Sequence, residues 1–194
     1  MLDAGMELLS DDLVRAGKLC EAAVADLVAA YTRGTKVREG LLGKAHRIQA
    51  LHEDADEIAA EIIARLQPEV SDLRFVKSCK TIILEFSRLV KYAYDISDFV
   101  ARRQASDSDD EDVKNVAQHA MKLIETGIQS LKTRDSALGQ ELRRTKISIN
   151  RLYGDIDSAR AASSALLLRY LEGVSTHAVS IGDSVLYVTG REGS

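Results

Sequence analysis

The sequence predicts an all-α fold of six helices in two tandem three-helix bundles. Three observations predict it. The chain holds a single Pro in 194 residues. Its apolar residues fall in three-and-four steps with no sustained period-two stretch. Its composition is rich in Ala, Leu, Ile, Val and charged residues, with 5% aromatics and no Trp. That is the usage of long amphipathic helices, and the chain is long enough to bury a core.

The first helix is expected from Ser10 to Arg33. Ser10 suits an N-cap, Asp11 and Asp12 suit the positive end of a helix, and Gly34 suits its stop. The second runs from Val37 to Leu66, with a stripe of Val37, Leu41, Leu42, Ala45, Ile48, Leu51, Ala55, Ile58, Ile62 and Leu66. Pro68 cannot continue that helix and pushes Gln67 out of helical angles, so "RLQPEVSDLR" reads as a tight hairpin tip. Ser71 is the expected cap of a third helix that ends near Arg103, with Leu73, Val76, Cys79, Ile83, Phe86, Val90, Ala93 and Ile96 in step.

The acidic run "SDSDDED", 106–112, reads as a solvated linker. A fourth helix is expected from Glu111 to Arg134. A fifth begins near Asp135 with Leu138, Leu142, Ile149, Leu152 and Ile156 inward, and a sixth ends near Thr189, before Gly190. This divides the chain into 1–105, a linker at 106–112, and 113–194. The second part repeats the first. "RIQALHEDAD" (47–56) aligns with "SINRLYGDID" (148–157) at an offset of 101, and "RLVKYAYDISDFV" (88–100) with "GVSTHAVSIGDSV" (173–185) at an offset of 85. The difference of 16 shortens the second hairpin by roughly eight residues, about two turns, on each arm. Its tip then falls near "RAASSALL" (160–167), where Ser163 and Ser164 are the available caps; one continuous rod is the alternative.

Net charge is −4 with a sequence pI near 5.6, which argues against a sequence-independent nucleic-acid binder. No apolar run approaches a membrane span and the first ten residues lack a signal-peptide core, so a cytoplasmic protein, peripheral to a membrane at most, is expected. Cys20 and Cys79 fit no zinc spacing and read as buried residues in a reducing compartment. No nucleophile with an adjacent base, no Gly-rich phosphate loop and no Glu-x-x-His pair occurs, so catalysis is not expected. "RRTK" (143–146), with Lys122 and Lys132, reads as an exposed basic face, and "ARRQ" (101–104) as favourable charge at a helix C-terminus.

Metal binding has five candidate residues. His52 and Asp56, in "LHEDADE" (51–57), lie four apart on one helix face, and Asp95 is the candidate third ligand from the facing helix. Asp157 and Glu172 are the corresponding pair in the second half. A solvated helix face is the competing reading for the first set, and acid–base work by the facing carboxylates for the second.

"IIARLQPEVSDLRFVKSCKTI" (62–82) resembles the hairpin of the PhoU family, in which one helix ends in Gln-Pro and Ser-Asp-Leu-Arg opens the next. "YLEGVSTHAVSIGDSVLYVTG" (170–190) is similar to that family's closing helix. The resemblance implies two three-helix bundles side by side and a non-enzymatic regulator of phosphate uptake. Its implied partner is a membrane phosphate transporter or a sensor component. Members also carry metal clusters on a carboxylate-rich face. The corresponding levels here are Ser87, Lys91 and Asp95; Glu172, Thr176 and Ser180; Ala45, Gln49, His52 and Asp56; and Lys146, Asn150, Tyr153 and Asp157. Clusters of hard cations want several converging carboxylates, so a family-type cluster is not expected here. A metal-storing or metal-sensing bundle, and a scaffold that forms homodimers through a spare apolar face, are the alternatives in other classes.

Overall fold

A computed structural model describes residues 2–65, 68–102, 107–154 and 162–190. Among them lie six helices: α1 (Leu2–Arg33), α2 (Arg38–Arg65), α3 (Val70–Val100), α4 (Asp107–Thr133), α5 (Ser136–Gly154) and α6 (Ala162–Thr189). Helices α1, α2 and α3 pack on one another, as do α4, α5 and α6; α3 against α6 and α1 against α4 join the two halves. One continuous apolar core runs through both, from Leu9, Leu13 and Leu27 through Phe86 and Ile124 to Leu171 and Val185. Burial of that stripe on each helix, rather than intrinsic propensity, is what stabilises rods of this length.

Several helix ends follow their local chemistry. Gly34 (φ 64°) and Gly190 (φ 69°) adopt the left-handed conformation after α1 and α6. Asp135 caps α5, its Oδ1 accepting from the backbone N–H of Ala137 at 2.8 Å and of Leu138 at 3.3 Å.

Others depart from the sequence reading. Ser10 does not start α1: the helix begins at Leu2, because Met6 and Leu9 extend the buried stripe upstream and Gly5 lets α1 approach Ile62 of α2. Ser71 does not cap α3, which starts from Glu69 in extended geometry without a side-chain cap. Helix α4 begins at Asp107, inside the run expected as a linker, and acidic residue types suit a first helical turn. Leu42 and Leu73, expected inward, are exposed. Helices α5 and α6 are distinct elements packed on each other. Ser163 and Ser164 lie buried within α6, and residues 155–161 between them and α5 are outside the described set.

The two hairpins close differently. In the first, Arg38 reaches Asp98 at 3.1 Å and Lys80 reaches Asp56 at 2.9 Å, so α2 and α3 run antiparallel. In the second, α5 and α6 approach through glycine: a Cβ on Gly182 would lie 2.7 Å from the Gly139 carbonyl oxygen.

Candidate functional site

The surface where the two halves meet is built by α3 and α6. Three contacts fix their register. Arg74 of α3 donates to the carbonyl of Tyr187 at 3.1 Å and lies over that tyrosine's ring. His177 Nδ1 stands 3.4 Å from Glu85 Oε2. The rings of Tyr92 and Tyr170 pack with centroids 5.9 Å apart. As α3 is followed forward, its partners on α6 run backward, so the helices are antiparallel and their outer faces form one strip across the junction.

Charge along that strip is locally balanced. Glu85 is held by Arg88 one turn on, at 2.8 Å, as well as by His177. Glu172 is held by Arg169, and Asp95 by Lys91 at 3.5 Å. The Glu85 and Glu172 side chains are about one-quarter exposed and that of Asp95 about one-half, whereas the Arg88, Lys91 and Arg169 side chains paired with them are about two-thirds to three-quarters exposed. Exposed cations thus lie over partly buried acids at the seam.

The sequence-predicted metal residues do not converge. Asp56 faces Lys80 across the first hairpin, and His52 lies one turn earlier on α2, half-buried. Asp95 lies fifteen residues beyond Lys80 on α3. That is roughly 22 Å along the axis, too far to join His52 and Asp56 as a third ligand. Glu172 is on α6, engaged by Arg169, and its proposed companion Asp157 lies outside the described residues. Among the described residues no group of three or more His, Cys, Asp or Glu side chains is placed to hold a metal ion.

The donor set itself misfits a family-type cluster. On the α3–α6 strip, of the six levels the resemblance assigns, only Asp95 and Glu172 carry carboxylates; Ser87, Thr176 and Ser180 offer hydroxyls, and Lys91 brings an ammonium. Hydroxyls are weak neutral ligands, and a cation at a ligand level repels the ion it would have to bind.

Other reactive groups are sequestered. Burial pushes the Cys79 thiol up to about 12 and raises Cys20 further, so neither is held as a thiolate. The Tyr170 phenol is buried with its hydroxyl unpartnered among the described residues, and burial raises its pKa well above the usual range. The Tyr31 and Ser164 hydroxyls pair at 2.8 Å, tying α1 to α6; this interior contact is what the serine read as a cap does. Asp12 and Glu21 on α1 are raised mainly by burial, and neighbouring carboxylates, Asp54 and Asp11 for Asp12 and Glu125 for Glu21, add to the effect.

Sequence reasoning missed one cleft. It measures about 600 Å³ and lies between the α1–α2 connection and the end of α3, lined by Thr35, Lys36, Arg38, Asp98 and Arg102 among others. Arg38 is fixed within it, 4.1 Å over the Tyr94 ring and 2.9 Å from the Tyr94 hydroxyl, with Asp98 beside it. The visible signal was Gly34-Thr35-Lys36 at a helix stop. Its pairing with α3 needed the fold.

Among the described residues no helix is long and apolar enough to cross a membrane. No family model matches the chain. A curated protein from Pseudomonas aeruginosa, the phosphate-specific transport system accessory protein PhoU homolog, is 23% identical over 207 residues, covering 96% of this chain and 84% of that protein. The crystal structure of PhoU from P. aeruginosa superposes with a TM-score of 0.80 at 21% identity, covering 98% of this chain and 99% of that one. The phosphate transport system regulatory protein PhoU from Streptococcus pneumoniae superposes at 0.77 with 15% identity, covering 97% of each chain. Over its described residues the chain has the fold of these PhoU structures.

Proposed function

We propose that this chain is a PhoU-type regulator of phosphate transport that acts in the cytoplasm by protein–protein contact. Its partner would be a membrane phosphate transporter or a sensor component coupled to one. The observation that carries the reading is the extent of the likeness. Nearly the whole chain follows both solved PhoU structures, with no added or missing half. Fold alone does not fix function. The curated relative, similar over 96% of this chain, supplies the phosphate-transport connection.

The surface suits such a role. A bundle with one continuous core presents rigid faces, and binding to a rigid face avoids much of the ordering cost of association. Ile63 and Val70 stand on either side of the first hairpin tip, 58% and 66% exposed, and Leu8 on α1 is 54% exposed. Apolar side chains of this kind anchor protein interfaces when they cluster at a solvent-facing end.

The test is binding between the purified chain and the cytoplasmic ATPase subunit of the phosphate transporter from the same cells, measured by biolayer interferometry. The expected result is saturable binding, weakened at least tenfold by Ile63→Asp with Val70→Asp, in a variant whose melting temperature is unchanged. Absence of binding both to that subunit and to the cytoplasmic part of the matching sensor kinase would refute the adaptor reading.

A further inference from the structure

We infer that the α3–α6 strip carries its own cations: Lys91, with Arg88 and Arg169, supplies the positive charge that metal ions supply on carboxylate-rich versions of this surface. The protein is then a metal-independent member of its fold. The inference concerns ion content alone, so it stands whether or not the partner proposed above is found.

The argument starts from charge. Three carboxylates, Glu85, Asp95 and Glu172, lie along the strip, and each is engaged by a basic side chain three or four residues away on its own helix. Such spacing places both groups on one helical face. Glu85 has a second partner across the junction in His177. A bound ion would have to displace these side chains to reach the oxygens.

Lys91 is the decisive residue. It precedes Tyr92, whose ring packs on Tyr170 of α6, two positions before Glu172. On the register set by Glu85–His177 and Tyr92–Tyr170, Glu172 falls beside Lys91 and Asp95 about one turn further on, so Lys91 lies at a level between the two carboxylates among the strip's six assigned levels. A mobile cation there competes with a tethered one that is always present, and the tethered cation repels it. Ser87, Thr176 and Ser180 at the other levels add no negative charge to offset that repulsion. The Lys91 side chain is 74% exposed and its pair with Asp95 is long, so it contributes little to stability. Its effect is on which ions the surface admits.

The experiment compares metal content and melting temperature in protein purified without chelator from cells grown with added iron, manganese and zinc. Inductively coupled plasma mass spectrometry on the wild type is expected to give well under one ion per chain after gel filtration, with a melting temperature unmoved by EDTA. The variant Ser87→Glu, Lys91→Asp, Thr176→Asp restores carboxylates at three levels. It is expected to bind at least one ion per chain and to melt at a temperature that EDTA lowers. Stoichiometric metal in the wild type, lost on Asp95→Ala or Glu172→Ala, would overturn the inference. So would a variant that is folded by circular dichroism yet gains no metal. If the triple variant fails to fold, Lys91→Asp alone takes its place, read by the gain in Mn²⁺ affinity over wild type in calorimetric titration; no gain would overturn the role assigned to Lys91.

Discussion

The two hairpins of this molecule share a plan and differ in what closes them. Helices α2 and α3 span 28 and 31 residues; α5 and α6 span 19 and 28. These spans count described residues, and residues 155–161, between α5 and α6, lie outside them. The long hairpin is pinned by charge at its open end, at Arg38–Asp98, and partway along, at Lys80–Asp56, with Arg38 stacked on Tyr94. The second hairpin brings its backbones together at Gly139 and Gly182, with Arg143 and Asp183 3.7 Å apart as an ion pair across it. The same topology is thus held once by side chains that reach and once by side chains that are absent.

The sharpest way to break this comparison is to add one methyl group. Gly182→Ala places a Cβ at 2.7 Å from a backbone oxygen that cannot rotate away. It should destabilise the fold by roughly 2–3 kcal/mol, read as a lowered urea midpoint. In the first hairpin, Arg38→Ala removes an ion pair, a ring contact and a hydrogen bond to the Tyr94 hydroxyl. Because the pair is partly solvated, the loss should be about 1–2 kcal/mol, and a double-mutant cycle with Tyr94→Phe should show coupling. The control is Gly43→Ala in α2, where nothing lies within 4 Å of the new Cβ. There the same methyl group should stabilise by about 0.5–1 kcal/mol through helix propensity alone.

The smallest effect tests the junction of the halves. Glu21 on α1 is raised by burial and by the Glu125 charge of α4. A folded-state pKa above the unfolded value means that folding favours the protonated form. Stability from this group is fully present below the ordinary carboxylate range and is lost as pH rises through the elevated folded value. Glu21→Gln should therefore raise the melting temperature at pH 7 by about 1–3 °C, and the gain should disappear near pH 4. A variant no more stable than wild type at pH 7 would remove the repulsion from the account.

How much was legible follows from which contacts are local. Gly34, Gly190 and Asp135 act on their own neighbours, so two helix ends and the start of α5 could be read directly, as could the break between α2 and α3 that contains Pro68. Ser10 was misread because a cap signal is local while the burial of Met6 and Leu9 against the rest of the core is not. Ser164 was misread for the same reason: its partner Tyr31 is 133 residues away. Gly139 and Gly182 carried no sign of their closeness, since only the fold brings them together. The candidate site was legible as residue types. Asp95 and Glu172 do fall on the strip between the halves, but Asp56 is tied to Lys80, and the antiparallel pairing of α3 with α6 had no sequence signature.

The proposed role is regulation of phosphate transport through contact with a partner. Uptake of radiolabelled phosphate by cells lacking the gene, measured in phosphate-replete medium, tests it most directly. The account predicts altered uptake that returns to the parental rate when the wild-type chain is supplied, and that stays altered when the Ile63→Asp, Val70→Asp chain is supplied at equal abundance. Uptake identical in the deleted and parental cells would contradict it.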